Sequence, residues 1–171
     1  MAHSTKKLGM MFTTAAWVLG FLLLALVFSK ILDGQRNPNQ SVSTLDTGEY
    51  REIVLKRSRN GHYLFDGEAN RRKVTFLVDT GATMTAIPGK MQHDLGLQAG
   101  PAMSVSTANG VASAKLTRLE QLAIGGIELY DVDATLIDDM AIDEILLGMN
   151  VLRHFELVQR GDQLIIRQYR Q

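Results

Sequence analysis

Two patterns of hydrophobic and polar positions divide this chain. From Leu8 to Ser29 the residues "LGMMFTTAAWVLGFLLLALVFS" are apolar or small, and none is charged. A helix over that run spans about 33 Å, against a bilayer core of roughly 30 Å. The run therefore predicts a transmembrane anchor at 8–29, behind a short tail at 1–7. A cleaved signal peptide has a shorter apolar region followed by a small-x-small site, whereas this run ends Leu26-Val27-Phe28-Ser29-Lys30. Lys6 and Lys7 before the span balance Lys30 and Arg36 after it, so charge does not orient it. A short tail and a large following domain point to a signal anchor with the domain outside. Ala16 and Gly20 form a small-xxx-small pair, a spacing that chance explains equally well.

Residues 33–49, "DGQRNPNQSVSTLDTGE", are polar and lack periodicity. Residues 30–49 are thus expected to form a linker that lifts the remainder off the membrane. Asn39-Gln40-Ser41 spells a glycosylation sequon, a pattern too short to carry weight. From Tyr50 the pattern changes to short β-type runs. "YREIVLKRS" alternates apolar and polar residues, and Asn60-Gly61 predicts a hairpin turn into "HYLFDGE". "KVTFLV" reads as a buried strand, and "GKMQHDLGL" at 89–97 as one short helix between Pro88 and Gly96. A second hairpin is predicted around Asn109-Gly110, and strands either side of Gly125-Gly126. "ILLGMNVLRHF" predicts a strand and a helical turn, before a closing hairpin near Arg160-Gly161-Asp162. The fold class expected is a mainly β domain at 50–171, barrel-like or sandwich-like, with one or two short helices.

Composition changes this picture by exclusion. The 171 residues carry 18 Lys+Arg and 18 Asp+Glu, a net charge of zero, which argues against a nucleic-acid partner. With no cysteine there is no disulfide, thiolate nucleophile or Cys-ligated metal. His3, His62, His93 and His154 show no ligand spacing, so neither a metal nor another cofactor is expected. Asp138-Asp139 and Asp143-Glu144 form an acidic loop expected to stay in water. Met84, Met91, Met103 and Met149 read as core filler.

The candidate chemistry rests on one word used twice, Asp46-Thr47-Gly48 and Asp79-Thr80-Gly81. Activating water against an amide needs a base and an acid together. Two carboxylates sharing one proton supply both, as in the aspartic proteases. Such a carboxylate needs a rigid turn behind a buried strand, a hydroxyl to lock the loop, and a Gly that lets the backbone approach. Asp79 has "VTFLV" before it and "ATMTAIP" after it. Asp46 lies in the polar segment and reads as a solvated turn residue.

A second element supports Asp79. "EILLGMN" at 144–150, an apolar pair followed by Gly and then Asn, resembles the strand beside the catalytic loop of retroviral-type proteases. With the Leu77–Ala82 loop and the Asn-Gly hairpin in the same order, residues 50–170 resemble a bacterial, membrane-anchored retropepsin-like aspartic protease. The resemblance implies a closed β-barrel with Asp79 as catalytic carboxylate, Thr80 as the loop-locking hydroxyl and Gly81 presenting backbone to substrate. Ala82 would border the substrate, and Ala108, Asn109, Gly110 and Val111 would form a flap that closes over a peptide. Leu146 would line a side-chain pocket. Asn150 would hydrogen-bond the catalytic loop near Thr85, with Gly148 in the same support. Viral enzymes often pair Asp and Arg where this chain has Thr83 and Met149, so that ion pair is missing here. A bacterial anchored enzyme of this kind would sit in the inner membrane with its domain in the periplasm.

One credible Asp per chain implies a symmetric homodimer with the site on its two-fold axis. Two rival classes are a non-catalytic, membrane-anchored β module that binds an extended peptide or partner protein, and a glycan hydrolase. The hydrolase, one acting on peptidoglycan, needs two acidic residues framing one groove, and no second acidic residue of this chain has the strand-and-turn setting of Asp79. An intact Asp-Thr-Gly behind a buried strand favours the protease over the module.

Overall fold

The computed structural model describes residues 2–107 and 110–170. Helix α1 runs Ala2–Arg36, and its part Gly9–Arg36 is long and apolar enough to cross a membrane by length and composition. The residues from Arg36 onward form a separate unit.

Six strands of that unit close a barrel. They are β3 (Leu64–Ala69), β4 (Arg72–Val78), β5 (Thr85–Pro88), β7 (Gly110–Ile124), β8 (Ile127–Ile137) and β9 (Ile145–Leu147). Around the ring, β3 pairs with β4, β4 with β9, β9 with β5, β5 with β8, and β8 with β7. The ring shuts where β7 returns to β3, with Glu68 opposite Ala123 and Ala69 opposite Leu122. Closure requires a close approach at Gly67, where an added Cβ would lie 2.5 Å from the Ala123 carbonyl oxygen. Phe65, Phe76, Leu119, Leu122, Ile124, Ile127, Leu136, Ile145 and Leu147 are buried in the barrel's core. Phe65 stacks on Phe76 at a centroid distance of 5.3 Å.

Strand β6 (Ala102–Thr107) pairs only with β7, extending the sheet as a hairpin whose last pair is Thr107 opposite Gly110. The turn residues Ala108 and Asn109 lie outside the described residues. A second sheet has the order β1 (Thr44–Asp46), β2 (Tyr50–Lys56), β11 (Gln163–Tyr169), β10 (Glu156–Arg160). Its Ile53, Leu55, Leu164 and Ile166 join the barrel core. Helix α2 (Met149–Leu152) follows β9 directly.

Three local expectations change. The 30–49 segment is not a free linker. The helix continues to Arg36, β1 pairs with β2, and Asn37 and Asn39 are only 8% and 6% exposed. Asn39 explains the difference. Its side chain donates to the Lys56 and Leu64 carbonyls (2.9 and 2.6 Å) and accepts from the Lys56 amide (2.8 Å), stitching β2 to β3. The same bonds use up the amide nitrogen of the sequon. Asn60-Gly61 makes a turn but no hairpin, because β2 pairs with β1 and β11 while β3 pairs with β4 and β7. A local turn signal carries no information on which sheet the next strand joins. Finally, 89–97 holds one 3₁₀ turn at Gly89–Met91 and then further turns to Gly96, not a regular helix. Leu95 and Leu97 still plug the core from it.

Candidate active site

Strand β4 delivers Asp79, and β9 holds it. Phe76, Leu77 and Val78 pair in parallel with Ile145, Leu146 and Leu147. The Asp79 amide continues that ladder by donating to the Leu147 carbonyl at 3.1 Å. The chain turns through Thr80, Gly81 and Ala82 and comes back as β5 on the other side of β9, with Ala86 opposite Leu146. The start of α2 fastens the returning limb, since the Met149 amide donates to the Ala82 carbonyl (2.8 Å) and the Asn150 amide to the Thr83 carbonyl (3.0 Å). A strand–turn–strand loop wrapped around a third strand has few ways to move.

Beneath the turn lies a polar layer. Thr85 is fully buried, and its amide and hydroxyl both donate to the side-chain oxygen of Asn150, at 2.8 and 3.1 Å. The Thr85 hydroxyl accepts from the Gly148 amide (3.4 Å), and the Asn150 amide group donates to the Asp133 carbonyl on β8 (2.7 Å). Gly148 is required by space, as a Cβ there would stand 2.5 Å from the Met84 carbonyl carbon and oxygen. The structure thus brings Thr85, Gly148 and Asn150 together under the Asp79 turn. Among the described residues the lock within one chain runs through Thr85. Thr80, expected to lock the loop, is exposed.

Asp79 itself is half-buried, and one of its carboxylate oxygens accepts the Gly81 amide at 2.9 Å. A Cβ on residue 81 would meet that oxygen at 3.2 Å, so glycine leaves the carboxylate room. Two surface hollows of about 690 and 740 Å³ lie elsewhere. The first is lined by residues such as Asp66, Glu68 and Lys73, the second by Asn70, Met84 and Arg118, and Asp79 lines neither. No group of three His, Asp or Glu suited to a metal occurs among the described residues.

The other Asp-Thr-Gly has different work. Asp46 ends the edge strand β1 and accepts from the Gly48 amide (2.9 Å), Arg51 (3.4 Å) and Arg170 (2.7 Å). The Gly48 amide, then the two guanidinium groups, hold its carboxyl below the usual aspartate range. It fastens a turn and the end of β11 at the surface.

Leu146 is half-buried and joins Met103, Val105, Ala112 and Met140 against Ala86, Ala114 and Ile137. An apolar wall therefore runs from the β6–β7 hairpin across to β9, and Ala82 in the Asp79 turn is half-buried. Val111, beside Gly110 near the hairpin end, is 78% exposed. Met103 packs here as the apolar filler expected of it, while Val105, Ala112 and Met140 are wall residues that no motif singles out. The i, i+2 spacing of Met103 with Val105 and of Ala112 with Ala114 was the available signal. The acidic loop is also not simply solvated. Lys115 pairs with Asp138 (2.9 Å), Lys90 with Asp143, and Arg36 with Glu144, which is buried. Thr83 and Met149, where an ion pair is missing, are exposed.

Residues 65–154, more than half of the chain and including the Asp79 turn, the β6–β7 hairpin and the Gly148–Asn150 support, match the family described as gag-polyprotein putative aspartyl protease. The chain belongs to that family. A crystal structure of a retropepsin-like aspartic protease from Rickettsia conorii is 28% identical, with a TM-score of 0.58 over 75% of this chain and 94% of that one. The fold is therefore retropepsin-like. An uncharacterized protein in the cobV 5′ region of Sinorhizobium sp is 32% identical over 170 residues, 90% of this chain and 71% of that protein. An uncharacterized protein of Rickettsia prowazekii (strain Madrid E) is 30% identical over 71% of this chain, and the match spans about half (53%) of that protein's length. Family and fold are those of aspartic peptidases.

Proposed function

We propose that the chain is a membrane-tethered aspartic endopeptidase, active as a homodimer. The observation that carries this reading is a single, half-buried Asp79 carboxylate on a turn clasped by β9, with one oxygen held by the Gly81 amide. Half a dyad is of no use for amide hydrolysis. Asp79 of the partner subunit completes it across a two-fold axis, and the two carboxylates share one proton because like charges a few ångströms apart do not both ionise. The ionised member takes a proton from water as it attacks the scissile carbonyl carbon, and the protonated member donates to the carbonyl oxygen. Collapse of the tetrahedral species sends a proton to the leaving nitrogen and restores the pair. Thr80, exposed in the single chain, locks the paired loops, and Gly81 and Ala82 present backbone to the substrate. The β6–β7 hairpin, with Ala108, Asn109, Gly110 and Val111 at its end, closes over an extended peptide, and Leu146 receives an apolar side chain.

Residues 8–29 anchor the chain in the inner membrane and the domain from Arg36 onward lies in the periplasm. The helical stretch 9–29 carries no charge and its residues are exposed, which suits contact with lipid. Tethering also favours pairing by raising effective concentration. The test is cleavage of a peptide library by the full-length chain in detergent, read by mass spectrometry. Asp79→Asn should lower cleavage by about a thousandfold or more with an unchanged melting temperature, and an active Asp79→Asn chain overturns the assignment.

A further inference from the structure

We propose that Arg36 is a positioning residue for the candidate active site, acting through the buried carboxylate of Glu144. The inference rests on the reading of Asp79 given above. The Glu144 side chain is 8% exposed. One of its oxygens accepts from Arg36 at 2.5 Å and the other from the Asp143 amide at 3.2 Å. Glu144 immediately precedes β9, and three residues later the Leu147 carbonyl accepts the Asp79 amide. The carboxylate therefore sits at the root of the strand that holds the aspartate.

The pair differs from its neighbours in one respect. Lys115–Asp138 and Lys90–Asp143 fasten the same 138–144 loop, but both partners of each are well exposed, and water and salt weaken such pairs. Glu144 has no such relief. Deprived of its cation, a buried carboxylate must either stay unpaired at high cost or turn out toward solvent. Turning out pulls on Ile145 and on the loop carrying Met140, and so on the wall that includes Leu146. Arg36 belongs to no catalytic element; it is the last residue of α1, brought to this loop by the Asn37 and Asn39 bonds that pin the segment.

The experiment uses the full-length chain in detergent as wild type, Arg36→Ala, Arg36→Lys, and Arg36→Ala combined with Glu144→Gln. Amide hydrogen exchange is followed at Asp79, Met149 and the β2–β11 ladder, together with kcat/KM on a fluorogenic peptide drawn from the library. Arg36→Ala should speed exchange at Asp79 and Met149 about tenfold, with less than about twofold change in the β2–β11 ladder, and lower kcat/KM about tenfold. Arg36→Lys keeps the charge and should recover most of both. The double variant removes the unpaired charge and should return to within about threefold of wild type. Unchanged exchange at Asp79, equal acceleration in both sheets, or a double variant no better than the single one overturns the proposal. A wild type that cuts no peptide contradicts the protease reading instead, and the exchange measurements still decide the role of Arg36.

Discussion

One oxygen of Asn150 accepts both the amide and the hydroxyl of Thr85, at 2.8 and 3.1 Å, across 65 residues of chain. The bond joins the start of α2 to the start of β5, and the Asp79 turn lies between β5 and β4. Asn150→Ala leaves a fully buried amide without a partner, at a cost of about 2 kcal/mol. A fall in Tm of roughly 8 °C is expected, with kcat/KM down about tenfold because the supporting layer has loosened. Differential scanning calorimetry and initial rates check both, and an unshifted Tm counts against the layer.

Asp46→Asn tests the second Asp-Thr-Gly. A carboxyl whose folded pKa is depressed contributes stability that is present above its unfolded pKa and lost as pH falls through the folded one. Asp46 is held low by the Gly48 amide, then Arg51 and Arg170. The wild type should therefore lose this contribution below about pH 4, whereas the Asn variant has none to lose. Urea midpoints between pH 6 and pH 2.5 should fall less steeply for Asp46→Asn, with peptide cleavage at pH 7 unchanged. Loss of cleavage at pH 7 would give Asp46 a part in the chemistry that its surface turn does not support.

The unit from Arg36 onward should need its first five residues. A fragment 36–171 retains Arg36, Asn37 and Asn39, while a fragment 41–171 strands the Lys56 amide and the buried Leu64 carbonyl. We expect the shorter fragment to melt at least about 10 °C lower or to aggregate. Equal melting of the two fragments means that Asn39 does not stitch the sheets.

What was legible in the sequence follows from how local each cause is. The β2 run announces itself because alternation along a strand is a local property, β4 because its β-branched and aromatic residues run together, β7 and β8 because turn glycines separate them, and the Asp79 loop because its strand, carboxylate and glycine are contiguous. Asn150 is legible only together with Gly148 and the strand before it. The closure of β3 on β7 depends on the approach of Gly67 to Ala123, far apart in the chain, which no local window contains. The sequence places Asn39 and Glu144 in polar stretches, where residues of their kind normally stay in water. Their burial comes from partners, Leu64 and Arg36, that only the folded chain supplies. Asn60-Gly61 shows the converse, a strong local turn whose tertiary meaning was set elsewhere.

The central claim is that each active site takes one Asp79 from each of two chains, and subunit mixing tests it most directly. Wild-type and Asp79→Asn chains, each bearing its own affinity tag, are co-expressed, adjusted to equal amounts and assayed against the same total of wild-type protein. Random pairing leaves about a quarter of the dimers with both carboxylates, so the mixture should show about a quarter of the all-wild-type activity. An activity of about one half, with each wild-type chain working regardless of its partner, would contradict the account.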